Sequence, residues 1–171
     1  WDWDIEGSSI YFSARWKEML GYRDDELPNK LESWEDLVHP DDLERTINAL
    51  LSCHTDENLD YKITYRLQHK SGHWVWILDR GYTVFRDNEA IRMVGFHTDI
   101  TEQKELEEKL RLSKKLFEQF MQNIPANVYI KDKDLKVVYA NDNGKEFFSN
   151  RDILGKKTDD ILLPKDAAKT S

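Results

Sequence analysis

The segment from His69 to Thr101 constrains the fold of this 171-residue chain more than any other stretch. It contains a strand at 74–78, whose residues WVWIL make both strand faces apolar. Asp-Asn-Glu at 87–89 supplies turn chemistry, and a second apolar strand returns over 91–96. A strongly charged helix follows at once. This order predicts a long antiparallel hairpin whose last strand leads directly into a helix.

The residues before this hairpin predict two short strands and then several helices. Helices are expected over 14–20, from Ser33 with Asp36 at its capping-box position, and from Pro40. The alternation of apolar and polar residues over 61–68 is that of a half-buried strand. Strands and helices segregated in this way predict an α+β domain, with a five-stranded antiparallel sheet and helices on one face.

The hairpin opens with Gly-His-Trp-Val-Trp at 72–76 and ends in Asp-Ile-Thr at 99–101. This pattern resembles the C-terminal half of a PAS domain. The resemblance covers about residues 1–101, and again 125–171 for the front half only. It implies a PAS-type sheet in a sensor and interaction module, which is not usually an enzyme.

In the family that the chain resembles, the acid and hydroxyl of the Asp-Ile-Thr motif tie the last strand to the exit helix. Asp99 and Thr101 are therefore the candidate signal-relay residues. The sequence agrees independently, because Asp99 to Glu102 can be read as a capping box. A cap at this hinge is how strain in the sheet would reach the helix.

Shifting the chain against itself by 128 residues gives a gapless match between its two ends. Each copy reads as strand, turn, strand and capped helix. We interpret the match as two copies of one module, the alternative being chance similarity of short amphipathic pieces. The aligned pairs include Asp4/Asp132, Tyr11/Tyr139, Ser13/Asn141, Lys17/Lys145 and Asp24/Asp152.

Three segments follow from these patterns. Residues 1–101 are expected to form a PAS domain that ends in the Asp-Ile-Thr motif. Residues 102–124 are expected to form an amphipathic signalling helix, and 125–171 the N-terminal half of a second PAS domain. Because two short strands alone are marginal in water, we expect the half-module to be held by the linker helix or by another chain.

The linker helix carries apolar residues at alternating spacings of three and four, the pattern of a coiled-coil seam. Gln103 and Ser113 interrupt this seam. One interpretation is a solvated spacer helix that lies on its own domain. We favour the other, a parallel coiled coil that makes a homodimer. The apolar seam residues are Leu106, Leu110, Phe117, Phe120 and Ile124.

Composition excludes several classes of protein. The net charge of −8 argues against binding to nucleic acid or to an anionic membrane surface. Cys53 is the only cysteine, which excludes an internal disulfide and suits the cytoplasm. The longest apolar run, 74–78, is too short to span a bilayer. The chain starts at Trp1 inside an expected strand, so we expect a piece of a longer protein.

The sequence contains no phosphate loop, HExxH, CxxC or nucleophile elbow, so no catalytic residue and no metal site is predicted. The cofactor is left unknown, either none or a small organic ligand. Tyr65, Trp76 and His97 are the candidates for lining a ligand pocket between the sheet and the long helix. The position of Cys53 departs from that of flavin-binding members, while His54 is a candidate haem ligand.

The resemblance implies a sensory module that detects a small ligand or partner. The dimerising helix would relay the signal to an effector domain in the same polypeptide, of histidine kinase or diguanylate cyclase type. The fragment itself is not expected to be an enzyme. Two alternatives remain open: a ligand-free interaction and dimerisation scaffold whose pocket is filled by its own tryptophans, and a haem-based gas sensor.

Overall fold

A computed structural model describes residues 1–55, 59–148 and 152–157 of the chain. Its contacts divide the chain into two units, Trp1–Glu107 and Glu108–Ser171. None of the helices in the described part is long and apolar enough to cross a membrane.

The first unit contains one antiparallel sheet with the strand order β2-β1-β5-β4-β3. The helices between β2 and β3 cover one face of this sheet, and the core lies between the two layers. This confirms the predicted α+β fold. The elements are β1 Asp2–Asp4, β2 Ser9–Tyr11, α1 Ala14–Met19, α2 Leu31–Glu35, α3 Pro40–Thr55, β3 Tyr61–Gln68, β4 Trp74–Arg86, β5 Glu89–Asp99 and the exit helix α4 Thr101–Asn123.

Local sequence signals account for most of these boundaries. Ser13 caps α1 by accepting the N–H of Trp16, and Pro40 is the first residue of α3. The β4–β5 turn holds Asp87 and Asn88 at φ 52° and 67°, the left-handed backbone that a tight hairpin turn requires. The short helix α2 is present, but its predicted start at Ser33 is wrong, since it begins at Leu31 and has no side-chain cap.

The first turn of α3 is attached to β3 through Asp42, which is buried. Its carboxylate accepts hydrogen bonds from the backbone N–H of Arg66 at 3.1 Å and from Nε of the same residue at 2.8 Å. Arg45 donates to it from within the helix. Burial would raise the pKa of the Asp42 carboxyl, but the donors from Arg66 and Arg45 outweigh it and hold that pKa well below its usual range.

The second unit repeats the front of the first. After α4 come β6 Tyr129–Lys131, β7 Val137–Ala140 and α5 Asp142–Phe147, with β6 and β7 antiparallel. Helix α5 lies 128 residues after α1, and Asn141 caps it as Ser13 caps α1. Within this unit, Phe117 of α4 packs edge-on against Tyr139 of β7. The linker helix thus contacts the half-module.

Candidate functional site

A buried carboxylate lies at the centre of the first unit. Asp79 of β4 points inward and is only 3% exposed. Its Oδ1 accepts the indole N–H of Trp1 at 2.8 Å, and its Oδ2 accepts the hydroxyl of Tyr65 at 3.0 Å. His97 Nε2 lies 2.9 Å from the same Oδ2. Burying a carboxylate is costly unless donors surround it, and here three donors do so.

His97 of β5 connects Asp79 to helix α1. Its Nδ1 accepts the indole N–H of Trp16. Because an indole N–H can only donate, this Nδ1 carries no proton, and the neutral ring presents its proton at Nε2 toward Asp79. Protonation of Nδ1 would break the bond to Trp16. The ring therefore links the sheet to α1 through one specific tautomer.

Tyr65 of β3 completes the arrangement. Its hydroxyl accepts the indole N–H of Trp34 at 2.9 Å while donating to Asp79. Burial and the negative charge of Asp79 raise the pKa of Tyr65 far above its usual value, and the pKa of Tyr61 in the same way. Both phenols therefore stay protonated. We call the following residues the interior cluster: Trp1, Trp16, Trp34, Tyr65, Asp79 and His97.

Side chains of the domain fill most of the space between sheet and helices. A cavity of about 20 Å³ lies between them, which is room for a single water molecule. This cavity as it stands is too small for an organic ligand. The cavity is lined by Trp1, Trp3, Ile10, Phe12, Leu31, Trp34, Leu50, Asp79 and His97.

The residues present do not fit a haem. A 20 Å³ cavity is far too small for a porphyrin, and His54 does not line it. The His54 ring packs instead against Trp3, with ring centroids 5.0 Å apart. Burial lowers the pKa of His54. These contacts make His54 a packed side chain at the end of α3.

The structure brings two of the three predicted pocket residues together. Tyr65 and His97 meet with the hydroxyl 3.1 Å from Nε2. Trp76 does not join them, because residues alternate between the faces of a strand and Ile77 is the inward one. The indole of Trp76 lies on the opposite face, under the guanidinium of Arg66 and the ammonium of Lys104.

Trp76 lies instead at the junction of β5 and α4. Its backbone N–H donates to Thr101 Oγ1 at 2.9 Å, and its carbonyl accepts the N–H of Ile100 at 2.8 Å. Asp99 Oδ1 accepts the N–H of Thr101 at 2.8 Å. We call Trp76, Asp99, Ile100 and Thr101 the exit joint. The cap differs from the predicted capping box, since Asp99 bonds the N–H two residues on and Glu102 is not its partner.

The interior cluster and the exit joint are adjacent on β5. His97 and Asp99 lie on the same face of this strand, two residues apart. His97 also lines a surface cleft of about 730 Å³ between α1 and the end of β5. Other residues lining this cleft include Ser13, Arg15, Met19, Phe96 and Asp99. The cleft is thus lined by His97 of the interior cluster and by Asp99 of the exit joint.

The predicted seam residues of α4 lie on the surface of their units. Leu110 is 72% exposed, and Leu106 and Phe120 are exposed as well. Phe117 is partly covered by Tyr139, and Ile124 is half-buried beyond the helix end. Leu112 and Leu116, which the sequence analysis did not single out, are two further exposed apolar residues.

Comparison with known proteins decides the family. A sequence model of the PAS fold matches residues 9–97, more than half of the chain, and a second PAS-fold model matches 121–171. The chain belongs to the PAS family. The resemblance noted from the sequence is thereby confirmed, and the two matches lie one on each copy of the repeat.

This PAS protein is similar to sensor proteins. The two-component sensor PprA of Pseudomonas aeruginosa is 27% identical over 80% of this chain, which spans 15% of that protein's length. A sensory box histidine kinase/response regulator from Burkholderia thailandensis matches with a TM-score of 0.59 and 34% identity, over 70% of this chain and 88% of the other. The N-terminal domain of a diguanylate cyclase with PAS/PAC sensor from Marinobacter aquaeolei matches with a TM-score of 0.54 and 26% identity, over 61% and 95%.

Sequence reasoning missed the centre of the PAS domain's interior cluster. Asp79 follows the apolar run WVWIL at the same strand parity as Val75 and Ile77. A charged residue at an inward position of an apolar strand is the signal that could have identified it, because a buried carboxylate needs partners. Trp16 and Trp34 carried no such signal, since each reads as an ordinary apolar helix residue.

Proposed function

We propose that residues 1–101 form a sensory domain that relays a change in its interior to helix α4. The observation that carries this proposal is the position of His97. Its ring contacts Trp16 and Asp79 of the interior cluster, and it lies two residues before Asp99 of the exit joint. A shift of β5 at His97 would move Asp99 with it, because the strand is continuous. Helix α4 would then pass the change to an effector domain elsewhere in the full-length protein.

The effector is of histidine kinase or diguanylate cyclase type in this proposal. The names of similar proteins support it, since they include a histidine kinase/response regulator and a diguanylate cyclase with a PAS/PAC sensor. The input would be a small polar molecule or a contact at the cleft. Either one could compete for the bond between Trp16 and His97.

Homodimerisation through α4 forms part of the same proposal. Its exposed apolar row, Leu106, Leu110 and Phe120, is at coiled-coil spacing. Two copies in parallel would bury these residues against each other. Rotation or sliding of one helix against the other would then change the arrangement of the two effector domains that follow them.

A ligand-free scaffold remains the second candidate, favoured by the 20 Å³ cavity. The domain would then act by binding and dimerisation alone. Native mass spectrometry of the intact chain separates the two candidates. A co-purified small molecule supports the sensor, and a ligand-free dimer that also binds no added metabolite supports the scaffold.

The relay is tested by Trp16→Phe, which removes one indole N–H and keeps an aromatic ring. The measurement is amide hydrogen exchange over residues 98–107, with Trp74→Phe as the matched control. Trp74 packs on His39, outside the interior cluster. We expect faster exchange at the exit joint in Trp16→Phe only. Equal exchange in both variants and the parent would refute the relay.

A further inference from the structure

Asn141 of the second unit uses all of its side-chain hydrogen-bonding capacity. It is 2% exposed. Its Oδ1 accepts the N–H groups of Val128 at 2.9 Å and Gly144 at 2.8 Å. Its Nδ2 donates to the carbonyls of Met121 at 3.0 Å and Ala126 at 2.8 Å. One buried side chain thus joins α5, the connector before β6, and the last turn of α4.

The equivalent residue in the first copy has a narrower role. Ser13 accepts one N–H, that of Trp16, as an ordinary helix cap. An N-cap needs only an acceptor, so the two donors of Asn141 exceed what capping requires. The difference between the two caps is visible in the sequence, because Ser13 and Asn141 occupy the same position of the 128-residue repeat.

The backbone around Asn141 is shaped for these bonds. Gly144 stands where the first copy has Trp16, and a Cβ at residue 144 would lie 2.7 Å from the carbonyl oxygen of Val128. Asn143 adds a further bond to the carbonyl of Ile124 at 3.2 Å. The last carbonyls of a helix have no partner inside it, and Met121 is one of them. The second unit supplies that partner.

We infer that Asn141 is the positioning residue that receives α4 in the second unit. It fixes the last turn of α4 to α5, as Thr101 fixes the first turn to β4. Helix α4 is then held at both ends by side-chain hydrogen bonds to backbone groups. A displacement that starts at Thr101 is delivered to α5 rather than lost in the connector. This inference rests on the proposed relay through α4.

The first test uses Asn141→Ser, which installs the residue of the first copy. Serine keeps an acceptor for the Gly144 N–H and removes the amide group, whose two N–H donors bond Met121 and Ala126. We expect the amides of residues 122–128 to exchange about tenfold faster, the scale of one lost hydrogen bond. Asn127→Ser, the same change at an exposed position, is the control. Unchanged exchange in Asn141→Ser overturns the inference.

The second test asks whether Asn141 transmits a change at the exit joint to helix α5. Thr101→Val removes the acceptor of the Trp76 N–H, and exchange is followed in α5. We expect Thr101→Val to change exchange in α5 of the parent chain but not of Asn141→Ser. Transmission in both backgrounds overturns the role of Asn141 while leaving the relay intact. No transmission in the parent overturns the relay and this inference together.

If Asn141→Ser also loses the cap on α5, this loss can be detected and a second variant can be used. Protection of the Gly144 amide reports whether α5 is still capped. If that protection is lost, Asn141→Asp replaces the serine variant, because a carboxylate keeps both acceptor bonds and lacks only the donors. Exchange over residues 122–128, and in α5 after Thr101→Val, is then measured in Asn141→Asp and judged in the same way.

Discussion

Tyr65 donates its hydroxyl to Asp79 over 3.0 Å inside the first PAS domain, from one strand of the sheet to the next. Both side chains are buried. The hydroxyl also accepts the N–H of Trp34, so two other buried groups depend on it. The interior is therefore held by directional bonds as well as by apolar contact, and the loss of one member leaves others unsatisfied.

Replacing Tyr65 by phenylalanine removes only the hydroxyl. Asp79 then loses a donor and Trp34 loses its acceptor. We expect a decrease of about 2 kcal/mol in the free energy of unfolding, within the range for stranded buried groups. Urea unfolding measures it. Tyr82→Phe, at a 62% exposed position, is the control and should change little. Equal stability of the two variants would contradict the interior cluster as described.

Asp42 predicts a pH dependence of stability. Its pKa is depressed in the folded state, so its contribution is present above the unfolded pKa of about 3.9 and is lost as pH falls toward the folded value. Asp42→Asn should cost about 2 kcal/mol at pH 7, because charged hydrogen bonds with Arg66 and Arg45 are lost.

This cost should shrink as the pH falls below about 4, because Asp42 of the unfolded parent chain then binds a proton that the folded state does not, which stabilises the unfolded state. Urea unfolding at pH 7, 5 and 3 measures the difference between parent and variant. Asp36→Asn, at an exposed position, supplies the control. A difference that stays constant from pH 7 to 3 would show that Asp42 is not held as described.

Asp99→Ala removes the cap on Thr101 at the exit joint. The expected loss of stability is about 1 kcal/mol, the usual effect of a lost helix cap. If the joint relays the signal, output of the full-length receptor should fall by more than this cost explains. Glu102→Ala, an exposed change in the same turn, is the control. Normal signalling by an Asp99→Ala receptor would rule out the joint as the relay.

Leu110→Glu places a charge in the proposed seam of α4. We expect the homodimer to dissociate, because buried like charges would oppose each other, while the first PAS domain keeps its fold. Sedimentation velocity measures the mass and circular dichroism the fold. Leu112→Glu carries the same charge at an exposed position outside the seam. A monomeric parent chain, or dissociation by both variants, would refute this seam.

The sequence by itself determined the elements and their order, because each depends on residues close together along the chain. The caps at Ser13 and Asn141 set the starts of α1 and α5, and strand alternation set β3. The Asp-Ile-Thr motif and the 128-residue repeat were visible for the same reason. The start of α2, which lacks a side-chain cap, was placed wrongly, and β4 and β5 extend beyond their predicted ends.

Only the tertiary structure decided which side chains meet. The bond between Trp16 and His97 joins residues 81 positions apart, and its direction depends on how α1 packs on the sheet. Trp76 lies in an apolar run in which both strand faces are apolar. Only the packing of β4 against the helices decides which face of the sheet its side chain occupies. The two donors of Asn141 likewise found carbonyls only because α4 and the connector fold back beside α5. Local patterns do not encode such directions.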